Sequence, residues 1–293
     1  MQLTQFQAHT LCLGLVLADF LARTLRLQYL VRGCGHRLTF RQGVTVNLLA
    51  EAGATLTPLR VGGEPARLAG MLSSGVPAAA SFVAIAYEVI TAWPVLIAVG
   101  LWVFASYAPE WWRTAGSQLG SRLGEAWEWV ALVAVLSVAA WWLGRRFARL
   151  APHRVRRPMR RIAVYWRRMP WWPLVASVPL SLVNVVTRVA LLPVLALTLP
   201  EPPSLPTLVV GSFALVYSQL VLPTPGGAGP VELGLLAGAA GNLGDERQWL
   251  LFWWRVYSSG LGTVLGVLDA ARLYGWPALR ALARRMVRGA AEA

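Results

Sequence analysis

The apolar stretch at residues 78–107 limits the fold of this chain more than any other feature. Glu88 is its single charged residue, and a helix of this length exceeds the hydrocarbon core of a bilayer, which is about 30 Å thick. A second stretch, at 172–199, has Arg188 as its single charged residue. Because the chain of 293 residues is 56% hydrophobic and only 14% charged, it does not have the composition of an ordinary soluble domain. The sequence predicts an all-α polytopic membrane protein.

Two basic segments contribute much of the net charge of +14. Residues 145–168 contain no acidic residue, and a second basic stretch covers 272–288. Both flank apolar segments, and arginine-rich segments beside membrane spans normally stay in the cytoplasm, where they face anionic lipid headgroups. We therefore expect no nucleic-acid partner, and we place both segments on the cytoplasmic side of the cell membrane.

This placement orders the membrane segments. The first predicted helix, at about 9–31, carries Asp19 and Arg23, whose spacing lets them pair. Counting crossings back from the cytoplasmic segments puts the N-terminus outside and the C-terminus inside. The predicted parts of this single transmembrane domain are repeat one at about 8–107, an extra span and a basic cytoplasmic loop at about 128–170, repeat two at about 172–271, and a basic cytoplasmic tail at 272–293.

Proline and glycine break two further apolar segments, at 44–75 and 207–241. The first contains "TPLRVGGEPARL" and the second "TPGGAGPVEL", which share a Thr-Pro pair, a Gly pair and a later Glu. By this count of crossings, the first broken segment begins and ends on the cytoplasmic side of the membrane. The second broken segment begins and ends on the outer side. The sequence therefore predicts inverted-topology repeats, each with a re-entrant hairpin of two half-helices.

Broken helices at membrane depth favour a ligand site. Unpaired backbone groups are tolerated there only where they are buried in protein or line a wet cavity, and half-helix N-termini attract anions. Ionisable side chains inside a membrane are costly and point to function. The candidate substrate-binding residues are Arg60, Gly62, Gly63, Glu64, Arg67, Pro225, Gly226, Gly227, Gly229 and Glu232, with Asp19, Arg23, Glu88, Arg188 and Arg255 as supporting charges.

A structural role for these charges stays open. Glu64 and Glu232 could cap their helices or pair with Arg67, Arg188 or Arg255, and so lock the hairpins together. The acidic residues of the long spans could line a cavity or join neighbouring helices.

The stretch "PTPGGAGPVELGLLAGAAG", at 223–241, resembles the signature Pro-x-Pro-Gly-Gly-x-Gly-x-x-Glu of the lysylphosphatidylglycerol synthase transmembrane region family, a family of flippase-like membrane domains. The first broken segment is similar to that family's first-half element. The sequence departs from the family pattern at Pro230, where a bulky residue is common. It departs again in the span after the first broken segment, where "AYEVITAWP" keeps only Glu88 of the family's charged residues. The resemblance implies a lipid translocase for a phospholipid or a polyprenyl-linked lipid. Since no soluble aminoacyl-transferase domain follows, lipid aminoacylation is not expected.

The sequence offers little for catalysis or metal binding. His9, His36 and His153 lack metal-ligand spacing, and Cys12 and Cys34 are too separate for a metal cluster. Neither a GxSxG elbow nor a Walker loop is present. We expect no metal, no cofactor and no enzymatic activity.

The resulting hypothesis is a membrane translocase for anionic lipid headgroups. Arg60, Arg67 and the half-helix N-termini would hold a phosphate, and Glu64 and Glu232 would organise these arginines or couple movement to protons. A non-transporting scaffold or accessory subunit and a lipid-modifying enzyme are the alternatives. A homo-oligomer or a partner enzyme also stays open.

Overall fold

The computed structural model of the protein describes residues 3–111, 153–220, 224–236, 240–241 and 243–276. These ranges form helices and turns, without a strand. The predicted extra span after residue 128 and most of the basic tail lie outside them. The described α-helices are α1 (Gln5–Gly33), α2 (Phe40–Leu56), α3 (Gly63–Ser73), α4 (Ala78–Trp111), α5 (His153–Arg168), α6 (Trp172–Ala196), α7 (Leu205–Ser218), α8 (Pro230–Leu236), α9 (Arg247–Arg255) and α10 (Leu261–Tyr274).

The first two helices begin at capping boxes, so their starts are encoded locally. At α1, Gln7 N–H donates to the Thr4 hydroxyl at 3.3 Å, and Thr4 N–H donates to the Gln7 side chain at 3.0 Å. Thr39 and Gln42 make the same reciprocal bonds at α2, at 3.3 and 2.9 Å. Each box satisfies two backbone N–H groups that a helix leaves unpaired. Helix α1 accordingly starts before the predicted boundary at about residue 9.

Two described helices are long and apolar enough to cross a membrane. They are Ala78–Tyr107 within α4 and Trp172–Ala196, which is α6, with mean hydropathies of 2.0 and 1.8. Trp93 and Ile97 of α4 leave about half of their surface exposed, as lipid-facing side chains do. Helix α1 packs along α6, and α4 packs against both. This arrangement agrees with the predicted all-α architecture.

The first broken segment forms α2, a 3-10 turn at Pro58–Arg60 (the first turn) and α3. The two helices approach at Gly53 and Gly62, where a Cβ atom on either glycine would lie 2.6 Å from the carbonyl oxygen of the other. The Thr57 hydroxyl accepts from Gly62 N–H at 2.8 Å and donates to the Gly53 carbonyl at 2.8 Å. The threonine and the glycines therefore produce a tight turn between two packed helices.

The second broken segment forms α7, a 3-10 turn at Pro225–Gly227 (the second turn) and α8. The two turns contact each other and share a backbone conformation. Leu59 and Gly226 occupy equivalent positions with φ of 52° and 57°, and they are followed by Arg60 and Gly227 with φ of 56° and 71°. The Thr-Pro match in the sequence thus marks a shared local structure. In the first turn, however, Leu and Arg adopt a conformation that favours glycine.

The strained Leu59 gives a stability prediction. We expect Leu59→Gly to raise the free energy of unfolding by about 1 kcal/mol and the melting temperature by about 2–4 °C, because a left-handed L-residue costs about 1–2 kcal/mol. Leu59 is 45% exposed, so little burial is lost. Gly226→Ala should do the opposite, since its Cβ would lie 3.2 Å from the Thr55 methyl. Thermal unfolding in detergent checks both, and a lower melting temperature for Leu59→Gly would contradict the assignment of strain.

The last apolar segment differs from the single span predicted at about 249–270. Helices α9 and α10 are joined by a π-helical segment, Val256–Gly260. Such segments widen a helix locally and are frequent at functional sites. Helix α10 packs on α2 at Gly262, where a Cβ atom would lie 2.9 Å from Cγ of Glu51. The small residue therefore brings α10 against a buried carboxylate.

Part of the predicted basic loop is helical. Helix α5 packs against α4, and its Ile162 and Tyr165 contact an apolar core that includes Leu27, Leu30 and Val83. The apolar residues recur at the spacing of one helix face, which lets an arginine-rich segment form an amphipathic helix.

Candidate functional site

Helix α1 carries a line of charged side chains that is buried in the protein. Asp19, Arg23 and Arg26 each leave 5–6% of their surface exposed. Their spacing of four and three residues puts them on one helix face. The predicted pairing of Asp19 with Arg23 is confirmed at 3.6 Å, and Asp19 also accepts a hydrogen bond from Asn184 of α6. Helix α1 therefore presents these charges to neighbouring helices and not to the outer surface of the protein.

Glu51 of α2 is the centre of the larger set of charges. Its carboxylate lies 2.8 Å from Arg23, 2.8 Å from Arg60 and 2.9 Å from Arg188. Arg60 also donates to the side-chain oxygen of Gln219 at 3.1 Å. One carboxylate thus joins α1, α2, the first turn and α6. We call Asp19, Arg23, Glu51, Arg60 and Arg188 the Glu51 group.

Glu88 of α4 is the centre of an adjoining set. It pairs with Arg26 of α1 and, at 2.8 Å, with Arg67 of α3. Arg26 also donates to the Ser181 hydroxyl of α6 at 2.9 Å. Glu64 lies 3.6 Å from Arg67 with 52% of its side chain exposed, so it stays at the rim. We call Arg26, Arg67 and Glu88 the Glu88 group, and the two groups together the buried charge cluster.

Glu232 and Arg255 form a separate pair at the second turn. Glu232 accepts from Gly229 N–H at 2.6 Å, which caps α8, and its other oxygen lies 2.5 Å from Arg255 of α9. Arg255 also donates to the carbonyl oxygens of Gly226 at 3.0 Å and Gly227 at 3.4 Å. These contacts fasten the second turn to α9, which is the capping and pairing arrangement that the sequence left open.

The buried charge cluster holds more positive than negative side chains. Five arginines face three buried carboxylates, an excess of two positive charges among these described residues, and half-exposed Glu64 at the rim is a further acid near Arg67. The Nε–H groups of Arg26, Arg67 and Arg188 make no hydrogen bond to the part of the chain that the structure describes. Uncompensated buried charge is costly, so this cluster is chemically suited to take up an anion.

A narrow cleft reaches the Glu51 group between α1, α6 and the π-helical segment. Its volume is about 10 Å³, which is room for about one water molecule. The Ser258 hydroxyl on its wall has no hydrogen-bond partner among the described residues. Its polar lining consists of Asp19, Glu51, Thr187, Arg188, Tyr257 and Ser258.

The model of one protein family, described as the lysylphosphatidylglycerol synthase TM region, matches residues 2–266. The chain belongs to this family. The match covers the buried charge cluster, the first turn and the second turn, and it confirms the resemblance drawn from the Pro-x-Pro-Gly-Gly signature. As a member of the lysylphosphatidylglycerol synthase transmembrane region family, the chain is a membrane protein tied to lipid biology. No curated protein and no solved structure matches it.

Among the predicted substrate-binding residues of this family member, the two arginines come together but Glu64 and Glu232 do not, whereas the supporting charges Asp19, Arg23, Glu88 and Arg188 all join the cluster. Arg60 and Arg67 both join the buried charge cluster, held by Glu51 and Glu88 rather than by Glu64. The remaining predicted residues shape the backbone. Gly62 and Gly63 lie where α3 crosses α2, and Pro225, Gly226, Gly227 and Gly229 form the second turn and the start of α8.

Sequence reasoning missed two members of the cluster, Glu51 and Arg26. Both stand inside helices, and a search for every ionisable residue within apolar segments would have found them. The polar partners Asn184, Ser181 and Gln219 carry no such signal, because an uncharged side chain in a span is common.

Proposed function

We propose that the protein is a lipid translocase that binds the anionic headgroup of a phospholipid or polyprenyl-linked lipid at the buried charge cluster. The observation that carries this proposal is the excess of two positive charges in the buried charge cluster, whose Glu51 group is reached by the cleft. In hydrocarbon surroundings, such an excess favours a bound counter-anion.

A phosphate group suits this cluster. Guanidinium groups present planar donors that match phosphate oxygens, and charge-assisted hydrogen bonds of this type are the strong ones. Arg188 reaches the cleft with its Nη2 paired to Glu51, while its Nε–H lies 3.4 Å from Asp19 and makes no hydrogen bond. A headgroup phosphate that enters the cleft would meet Arg188 first.

Movement of the headgroup requires the cleft to widen, because it now has room for about one water molecule. The two broken segments act as re-entrant hairpins of inverted-topology repeats in this proposal. Their contacting turns would form the floor of the site, and rocking of one repeat against the other would open the cleft towards each leaflet in turn. The π-helical segment on the cleft wall supplies a helix that can readjust locally.

The proposed orientation in the cell membrane places the N-terminus outside and the C-terminus inside. We expect E246C to react with a membrane-impermeant maleimide on intact cells, and S73C to react only after permeabilisation. These exposed positions lie near Gly241 and Gly75, and they avoid Gly241 itself, whose Cβ would lie 2.9 Å from Pro203. Labelling of both variants on intact cells would contradict the inverted arrangement.

Lipid translocation in proteoliposomes tests the function. The wild type should move fluorescent phosphatidylglycerol between leaflets faster than protein-free vesicles, and Arg188→Gln should slow this at least tenfold, since a buried hydrogen bond to a charged group contributes about 1.5–3 kcal/mol. Arg188→Gln should still fold because Glu51 keeps Arg23 and Arg60. Exposed Arg247→Gln is the matched control.

The same assay separates the roles of the other predicted residues. Unchanged rates for Arg67→Ala and Glu232→Gln, in a preparation that moves lipid, would remove both residues from the mechanism. The scaffold alternative is favoured by the small cleft, and it predicts no translocation by the folded wild type. A protein of that kind would act through a partner enzyme or a second copy of itself.

A further inference from the structure

A second basic site lies apart from the buried charge cluster. Helix α5 borders a groove of about 1190 Å³ together with the end of α1 and the start of α4. Arg160, Arg161 and Arg168 line the groove, and all three are exposed. None of them pairs with a carboxylate of the described ranges, and the sequence from 145 to 168 contains no acid. The groove therefore carries positive charge that no described side chain neutralises.

The position of α5 places this charge at a membrane surface. Helix α6, a candidate span, begins at Trp172, four residues after Arg168. Trp171 is 73% exposed there, as an aromatic anchor at the interface would be. Tyr87 of α4 stacks on Trp166 with ring centroids 4.4 Å apart, and its hydroxyl donates to the Trp166 carbonyl at 3.2 Å. Aromatic contacts thus hold α5 against the N-terminal third of another candidate span, Ala78–Tyr107.

The lining of the groove is amphiphilic. Val164, Ala78 and Ala79 add apolar surface beside the arginines. Tyr165 also lines the groove, and its hydroxyl hydrogen-bonds the His36 ring at 3.1 Å. A soluble anion would use only the charges, whereas a lipid would cover the apolar part with its glycerol and upper acyl chains.

We propose that this groove binds the headgroup of an anionic phospholipid from the adjacent leaflet. The arginines pair with the headgroup phosphate, and the apolar lining contacts the glycerol region. The site does not depend on translocation through the buried charge cluster, because its arginines all stand on α5, which carries no member of that cluster.

Native mass spectrometry of the full chain in detergent tests this site. With equal amounts of phosphatidylglycerol and phosphatidylcholine of the same acyl chains, the wild type should retain phosphatidylglycerol preferentially. In the double variant R161Q/R168Q, the preference for phosphatidylglycerol over phosphatidylcholine should fall by on the order of fivefold for each arginine removed. This factor corresponds to about 1 kcal/mol per basic residue at an anionic surface. The control R167Q/R247Q removes equal charge outside the groove and should retain it.

Three outcomes would overturn the proposal. The first is equal retention by the two double variants. The second is loss of retention in R188Q but not in R161Q/R168Q, which would place the lipid at the buried charge cluster. The third is displacement of the bound phosphatidylglycerol by a competitor that is not a lipid. Millimolar glycerol phosphate, or a short oligonucleotide, would then displace it as completely as intact lipid does. If R188Q retains phosphatidylglycerol but no longer moves lipid between leaflets, this result would support the groove independently of the proposed function.

Discussion

Glu51→Gln is expected to lower the free energy of unfolding by about 3–5 kcal/mol, because it removes the one carboxylate that contacts Arg23, Arg60 and Arg188 together. The substitution keeps the shape of the side chain, so the loss is one of charge and not of packing. The excess of positive charge in the buried cluster would rise from two to three. Thermal and denaturant unfolding in detergent measure the effect.

Two further variants separate this explanation from a general effect of losing an acid. Glu201→Gln removes an exposed carboxylate and should change stability by less than about 0.5 kcal/mol. Adding Arg60→Gln to Glu51→Gln should restore part of the stability, because it returns the excess to two. A double variant less stable than Glu51→Gln alone would show that charge balance does not govern the cluster.

Glu88→Gln should destabilise the protein by a similar amount, about 3–5 kcal/mol, whereas Glu64→Gln should cost less than about 1 kcal/mol. Both carboxylates lie near Arg67, at 2.8 and 3.6 Å. Glu88 is buried and also pairs with Arg26, while Glu64 is half exposed and its pair is screened by solvent. Unfolding of the two variants in the same detergent makes the comparison.

The pair of variants distinguishes burial from proximity. Equal destabilisation by Glu88→Gln and Glu64→Gln would mean that contact with Arg67 matters more than the surroundings of the carboxylate. Recovery of stability by Arg67→Met in the Glu88→Gln background is the expected sign that an unpaired buried arginine causes the loss.

Much of the helical architecture could be predicted from the sequence because its signals are local. Apolar length located α4 and α6, and the Thr-Pro pairs located the first turn and the second turn. The π-helical segment was not predicted, because nothing in Val256–Gly260 breaks an apolar pattern. Helix α5 was missed because the arginine content outweighed the few apolar residues on its buried face.

The candidate site was predictable in composition but not in pairing. Arg60 and Arg67 were identified from the first broken segment, and Glu64 was the nearest acid in sequence. Their strongest partners, Glu51 and Glu88, come from α2 and α4, so the pairs depend on how the helices pack. Glu232 was predicted as a substrate-binding residue, and its observed contacts cap α8 and hold Arg255.

Photo-crosslinking tests most directly whether a headgroup reaches the buried charge cluster. A phosphatidylglycerol analogue with a diazirine on its headgroup should label peptides that contain Arg188 or Ser258, both at the cleft, and R188Q should remove most of that label. Labelling confined to the exposed face of α4, around Trp93 and Ile97, and equal in wild type and R188Q, would contradict the account.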